Sequence, residues 1–442
     1  MPGRGNGGCS SDSMSRLDRG IRTCTQQAPG RAPDMLHVIA TSFIRLVASF
    51  LLFKVLASMF GPAALGFMTQ VMGVVAIFYM FAGGGTTNGL VRNIARSSKE
   101  ERRAWLGNGI AVHIGASVLL ALVAVALAVQ GGGSVLGDDR YVLVFLVVAV
   151  AQVLVGFGNI IVAYASGTGD VRFFAFVQIV STLLGIGTVI IMATVFGFAA
   201  AVYALASYQA ALGVVALAAF ARRTGDFCAL WPAWNWDRVR VLLGYTAVTI
   251  ASVVAVPVAQ ILVRQHMSAE LGWQTVGYWQ AVAKISDAYM QVLGVVVIHV
   301  LLPRLTPLPT LTAQFRLVGR IGSVLVAMFL AGAVFFLAAK DVVITLAYSR
   351  DFLPAGAFVL PTLVADFLRI MTYLLLYVFV ARGHVAILAV LGVFQGVAIY
   401  LLYLVLFPSV GAMAAVYNSI GAAAVMLVAM LVLSVYSGTR RG

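Results

Sequence analysis

Lys284 and Asp287 stand three residues apart inside an apolar run that continues to Leu302. At 100° per residue, Gln280 and Gln291 join them within an arc of about 60° on one helical face. A charge near the centre of a bilayer costs roughly 2.5–3.5 kcal/mol on insertion scales, so such side chains usually face a polar interior and mark a substrate or ion path. A second stripe lies further along, where Thr362, Asp366, Arg369, Tyr373 and Tyr377 share an arc of about 80°. His37, Thr41 and Arg45 recur every four residues in a third segment, with Lys54 about 180° away from Arg45. Gln152 and Asn159 add a neutral polar pair in a fourth. These residue types can bind and pass a polar or charged cargo, with Asp287 and Asp366 as candidate proton carriers. No nucleophile and base stand in a catalytic arrangement, no metal-ligand spacing occurs, and no Gly-x-x-x-x-Gly-Lys phosphate loop implies ATP hydrolysis.

The elements that must position these residues follow from composition. The chain is 62% hydrophobic and only 10% charged, with a mean hydropathy of +1.00, as in an integral membrane protein. Apolar runs of about 20 residues predict twelve transmembrane helices near 36–58, 65–85, 105–129, 141–165, 173–196, 198–221, 241–263, 274–302, 318–339, 353–381, 384–407 and 410–436. Phe60-Gly-Pro-Ala-Ala-Leu-Gly-Phe-Met68 aligns with Leu271-Gly-Trp-Gln-Thr-Val-Gly-Tyr-Trp279 at an offset of 211. Gly197-Phe-Ala-Ala-Ala-Val-Tyr203 aligns with Gly411-Ala-Met-Ala-Ala-Val-Tyr417 at 214. The predicted fold is therefore an all-α polytopic membrane protein, with two pseudo-symmetric six-helix bundles around a central cavity. The expected organisation is a disordered tail over 1–35, a first bundle over 36–222, a cytosolic linker over 223–240 and a second bundle over 241–437.

With both termini cytoplasmic, 21 of the 29 basic residues fall in the tail and the loops on that side. Only Arg140, Arg264, Lys340 and Arg350 fall opposite, while Arg45, Lys54, Lys284 and Arg369 lie within helices. The sequence pI of about 10.0 is thus topological and implies no nucleic acid; the basic face would meet membrane lipid headgroups. Met35 is a candidate natural start. Cys9, Cys24 and Cys228 have no metal or redox spacing, and no disulfide is expected.

Blander readings stand beside the functional ones. Lys284 with Asp287, and Asp366 with Arg369, are spaced to neutralise each other. Lys54 can snorkel to the headgroups, His113 and His299 read as packing residues, and Trp231, Trp234 and Trp236 as interface anchors. Four cations against two acids within the helices favour an anionic cargo, and guanidinium groups at Arg45 and Arg369 would suit phosphate or pyrophosphate.

The blocks Phe60-Gly-Pro-Ala-Ala-Leu-Gly66, Gly277-Tyr-Trp-Gln280, Ile285-Ser-Asp-Ala-Tyr-Met-Gln291, Leu302-Pro303 and Leu363-Val-Ala-Asp-Phe-Leu-Arg369 resemble the bacterial flippases of lipid-linked oligosaccharides. These serve O-antigen and enterobacterial common antigen, within the multidrug/oligosaccharidyl-lipid/polysaccharide exporter superfamily. The likeness runs from about Thr41 to the C-terminus and is greatest to the branch that moves the lipid III of enterobacterial common antigen. It implies that an undecaprenyl-pyrophosphate-linked oligosaccharide passes from the cytoplasmic to the periplasmic leaflet of the inner membrane by alternating access, without a cofactor. Glycan polymerase and chain-length regulator proteins are implied neighbours. Arg45, Lys54, Asp287, Asp366 and Arg369 match the family's pattern; Lys284 departs from it. The expected substrate-binding set is Arg45, Arg369, Gln152, Asn159, Gln280, Tyr373 and Tyr377, with Lys284, Lys54 and Arg264 secondary. An ion-coupled multidrug exporter is the alternative reading, and a membrane glycan polymerase or ligase a remote one.

Overall fold

The computed structural model describes residues 32–83, 85–224, 230–382 and 385–439, and side chains over 40–83, 85–223, 230–246, 253–382 and 389–433. The three cysteines, the tail before Ala32 and the side chain of His37 lie outside the described residues.

Apolar runs in lipid must satisfy their own backbone, and here they do so as helices. The long ones are α1 (Ala32–Phe81), α2 (Thr87–Arg96), α3 (Lys99–Val129), α4 (Val144–Thr168), α5 (Val171–Ser207), α6 (Ala210–Thr224), α7 (Trp236–Val253), α8 (Ala255–Val296), α9 (Leu311–Ala338), α10 (Val359–Ala381), α11 (Val385–Val410) and α12 (Ala414–Thr439). Among the described residues, eight helical stretches are long and apolar enough to cross a membrane. The chain is a multi-pass membrane protein. Polar caps mark several entries: Ser98 and Glu101 form a reciprocal capping box at α3, and the Asp170 carboxylate accepts from Phe173 N at α5.

Several of these helices are too long for one crossing. A straight helix of the 50 residues of α1 would reach about 75 Å at about 1.5 Å per residue, against a hydrocarbon core of about 30 Å. Single glycines turn the chain instead. Gly61 (φ 76°), Gly197 (φ 80°) and Gly272 (φ 78°) interrupt α1, α5 and α8, and Gly411 (φ 56°) separates α11 from α12. Positive φ is costly for residues with a Cβ, which is why glycine occupies these corners. The breaks expected at 59–64 and 264–273 fall on two of these corners, but each is shorter than expected: helix runs up to Gly61 and Gly272, and one glycine of positive φ replaces the loop. Both glycine pairs matched by the internal repeat, Gly61 with Gly272 and Gly197 with Gly411, share this conformation.

Another matched pair makes the central contact. A Cβ on Gly66 would lie 2.3 Å from Trp273 O and 2.8 Å from Gly277 N, and one on Gly277 only 1.9 Å from Pro62 O. Repeat partners that touch each other lie on the axis relating them. Beside this seam, Gln70 Nε2 donates to Val135 O (2.9 Å), Arg264 Nε to Gln70 Oε1 (2.9 Å) and Gln265 Nε2 to Ser134 O (2.8 Å). The two largest apolar cores divide accordingly. One draws on residues from Ala48 to Ala206, with Ile261 of α8 added; the other draws on residues from Ala259 to Ala422, with Phe53, Ala57 and Leu65 of α1 added.

Residues 230–235 lie against α3. Ala233 N donates to Gly107 O (3.1 Å) and Asn235 N to Asn108 Oδ1 (2.7 Å). Trp231, Trp234 and Trp236 remain exposed, in keeping with an interfacial position. At the far end of α8, Pro303 has no N–H to continue the ladder, and the preceding Val297–Leu301 widens into a π turn.

Candidate functional site

A cavity of about 770 Å³ opens between the halves, on the side of the molecule away from the Gly66–Gly277 seam. α1 contributes Arg45, Ser49 and Phe53, which recur every four residues. α8 contributes Lys284, Asp287 and Gln291, and α10 contributes Arg369, Tyr373 and Tyr377. The wall opposite comes from Gln178, Ser181 and Thr182 of α5, with Tyr208 and Gln209 at the junction of α5 and α6.

Two ion pairs set the electrostatics. Lys284 Nζ lies 3.6 Å from Asp287 Oδ2 and 5.3 Å from the centre of the Phe53 ring, so a cation–π contact helps hold it at the wall. Arg369 Nη1 lies 3.0 Å from Asp366 Oδ1. Asp366 itself is buried behind the wall at 1% exposure. Its second oxygen accepts from Ser286 Oγ (2.5 Å) and from the Tyr289 hydroxyl, both on α8. A buried carboxylate with three donors is well satisfied, and it holds Arg369 with part of its guanidinium free to face the cavity. Three cations (Arg45, Lys284, Arg369) thus stand against two acids (Asp287, Asp366). The surplus is one positive charge rather than the two expected, because Lys54 does not line the cavity.

The structure brings together Arg45, Lys284, Asp287, Arg369, Tyr373 and Tyr377, with Asp366 directly behind. Gln152, Asn159 and Gln280 are outside the lining. Gln152 is fully buried, and its amide donates to Ser117 O (2.9 Å) and Ala149 O (3.2 Å); Asn159 donates to Ala82 O (3.2 Å). These amides tie α4 to its neighbours. His113 joins the same network, bonded to Gly83 N, Ser117 Oγ and Val153 O, as its packing role requires. Arg264 also needs correction: expected in an outer loop, it is buried on α8 at 6% exposure, against Gln70 and Gly73. It fits there because Gly73 has no side chain.

Several residues were not singled out from the sequence. Ser286 and Tyr289 meet Asp366 across 80 and 77 residues of chain, a pairing that no local spacing reveals. Gln178, Ser181 and Thr182 did carry a signal, since i, i+3, i+4 spacing places them on one helical face. Among the described residues, no three His, Cys, Asp or Glu side chains gather as a metal site. The arrangement can hold an anion among cations, with neutral hydroxyl and amide groups for an attached polar moiety.

The sequence profile of a family described as polysaccharide biosynthesis protein matches residues 55–357. A lipid III flippase of Escherichia coli (strain K12) is 28% identical over 358 residues, spanning 80% of this chain and 85% of that protein; a lipid III flippase of Shigella flexneri gives the same values. Among solved structures, the inward-facing conformation of a multidrug resistance MATE family transporter of the MOP superfamily superposes with a TM-score of 0.71 at 15% identity, covering 89% of this chain and 98% of that one. The lipid II flippase MurJ, in an inward closed conformation, gives 0.68 at 12% identity, covering 90% and 87%. The fold is that of these transporters.

Proposed function

The chain belongs to the polysaccharide biosynthesis protein family, and from that premise we propose that it is a flippase for an undecaprenyl-pyrophosphate-linked oligosaccharide. The cargo, an O-antigen unit or the lipid III of enterobacterial common antigen, passes from the cytoplasmic to the periplasmic leaflet of a bacterial inner membrane. The observation that carries this reading is the convergence of Arg45, Lys284 and Arg369 on one intramembrane cavity, in a chain with lipid III flippases among its relatives. Pyrophosphate pairs with guanidinium through parallel donors. The sugars meet Gln178, Ser181, Thr182, Gln209 and Gln291, while the prenyl tail stays in hydrocarbon. The 770 Å³ volume lies within the usual range of about 300–1,000 Å³ for small-molecule sites.

The proposed topology is twelve crossings in two six-helix bundles, 36–222 and 241–437, joined by the linker over 223–240, with both termini cytoplasmic. The glycine corners that divide α1, α5 and α8 favour that number, and the basic loops favour that orientation. Transport is by alternating access, with Asp287 and Asp366 as the acids available for coupling to protons. A polymerase and a chain-length regulator would take up the delivered units.

The test is complementation of a flippase-null strain, with mass spectrometry of the lipid-linked intermediate. Wild type should clear the intermediate. Arg45→Ala or Arg369→Ala, present at normal levels, should lower export about tenfold or more, the factor expected for a lost charge-assisted contact. Undiminished export by both variants would refute the assignment. The MATE-like fold supports one other reading, an ion-coupled drug exporter; a deletion strain that gains drug sensitivity without accumulating lipid-linked glycan would favour it.

A further inference from the structure

A second, smaller cavity of about 230 Å³ lies between α10, α11 and α12, wholly inside the second half of the chain. It shares Arg369, Tyr373 and Leu376 with the main cavity, so one stripe of α10 borders both. Gly392 and Gln395 of α11 and Ala423 and Met426 of α12 form its other walls. α10 and α11 both pack on α12 and scarcely on each other, which leaves the gap.

The internal repeat explains why the space is there. At the offset of 214, Gly392, Gln395, Ala423 and Met426 correspond to Gln178, Ser181, Gln209 and Leu212. All four of those counterparts line the main cavity. Equivalent positions of the two halves therefore line cavities. In the second half a glycine and an alanine replace two glutamines, and the side-chain volume they give up becomes a chamber.

We infer that this chamber is a sugar subsite, which takes the residue joined directly to the pyrophosphate; the inference rests on the flippase reading above. Arg369 stands at the shared wall, so a phosphate held there carries its first sugar into the chamber. The volume equals about eight waters at ~30 Å³ each, room for one pyranose ring with its substituents and too little for an oligosaccharide. Its chemistry is mixed as a sugar requires. Gln395 is half-buried and has no hydrogen-bond partner among the described residues; it offers an amide donor and acceptor to ring hydroxyls or an acetamido group. Tyr373 supplies a flat face, and Met426, Leu376 and Ala423 meet the ring's C–H surface or an acetyl methyl. A prenyl chain would leave the Gln395 amide unpaired in an apolar contact, which is costly.

The experiment compares two ligands on the purified full-length protein: undecaprenyl pyrophosphate, and the same lipid bearing one N-acetylhexosamine. Wild type binds the sugar-bearing lipid about tenfold more tightly, the factor expected for one net hydrogen bond to Gln395. Ala423→Leu, which fills the chamber, and Gln395→Ala, which removes the amide, both abolish that preference and leave affinity for the bare lipid within about twofold. Arg369→Ala weakens both ligands. A preference that survives Ala423→Leu and Gln395→Ala overturns the subsite, as does an equal loss for both lipids. Failure of wild type to bind either lipid overturns the flippase reading itself, and the subsite with it.

Discussion

Arg369 has two roles that can be separated by experiment. It faces the cavity, and it neutralises Asp366, which is buried and also bonded to Ser286 and Tyr289. Removing one partner of a buried ion pair strands the other and costs about 3–5 kcal/mol. Arg369→Ala should therefore lower the unfolding midpoint of the purified protein as well as export. Adding Asp366→Asn removes the stranded charge, so the double variant should regain most of the midpoint and none of the export. Recovery of both would reduce Arg369 to a structural counter-ion. Arg45 differs, because it is exposed at the wall. Arg45→Ala should cost export with stability changed by no more than about 0.5 kcal/mol, as for other surface substitutions. The stripes that hold these residues were legible because charges in apolar runs are rare and helical periodicity sorts them by face. The donors behind Asp366 were not, since hydroxyls are common in membrane helices and their pairing depends on how α8 meets α10.

At the scale of elements, glycine governs both where helices turn and where they touch. Gly66 and Gly277 permit backbone contact at the seam, with no room for a methyl on either. Gly277→Ala should overpack that contact and cost about 1–3 kcal/mol, read as a lower thermal midpoint. An unchanged midpoint would show that α1 and α8 separate there without penalty. Gly61→Ala tests a different cause, because a Cβ there meets nothing within 4 Å. Its cost is backbone strain at φ 76°, ψ −174°, about 1–3 kcal/mol. Composition sufficed to read the helices, and aligned motifs sufficed to pair the glycines. The course of the chain around them did not show, because one left-handed residue can replace a polar loop and leaves no run of turn residues. Arg264 was misplaced for that reason: a basic residue next to an expected loop was counted with it, whereas helix continues past it to the corner at Gly272 and Gly73 opens a niche for the guanidinium.

At the scale of the whole molecule, the cavity lies on one side and the seam closes the other. The proposed alternating access requires the contacts at the seam to break. These contacts join Gln70 of α1 to Val135, Arg264 of α8 to Gln70 and Gln265 of α8 to Ser134, so two of the three link the two halves of the sequence. None carries a full ion pair. The two neutral amide bonds contribute a net of about 0.5–1.5 kcal/mol each and the charged Arg264 donor about 1.5–3 kcal/mol, strengths compatible with reversible opening. A covalent tie across the seam should therefore stop transport without disturbing the cavity. In a chain whose Cys9, Cys24 and Cys228 are replaced by serine, Ser134→Cys and Gln265→Cys should be joined by a short, reducible thiol cross-linker. Export should cease on linking, return on reduction, and persist when either cysteine is present alone. Binding of the lipid-linked glycan should survive the link, because Arg45, Lys284 and Arg369 remain accessible from the open side. Full export by the linked protein would show that the seam stays shut throughout transport, and that the cargo leaves by a route that does not pass between Gly66 and Gly277.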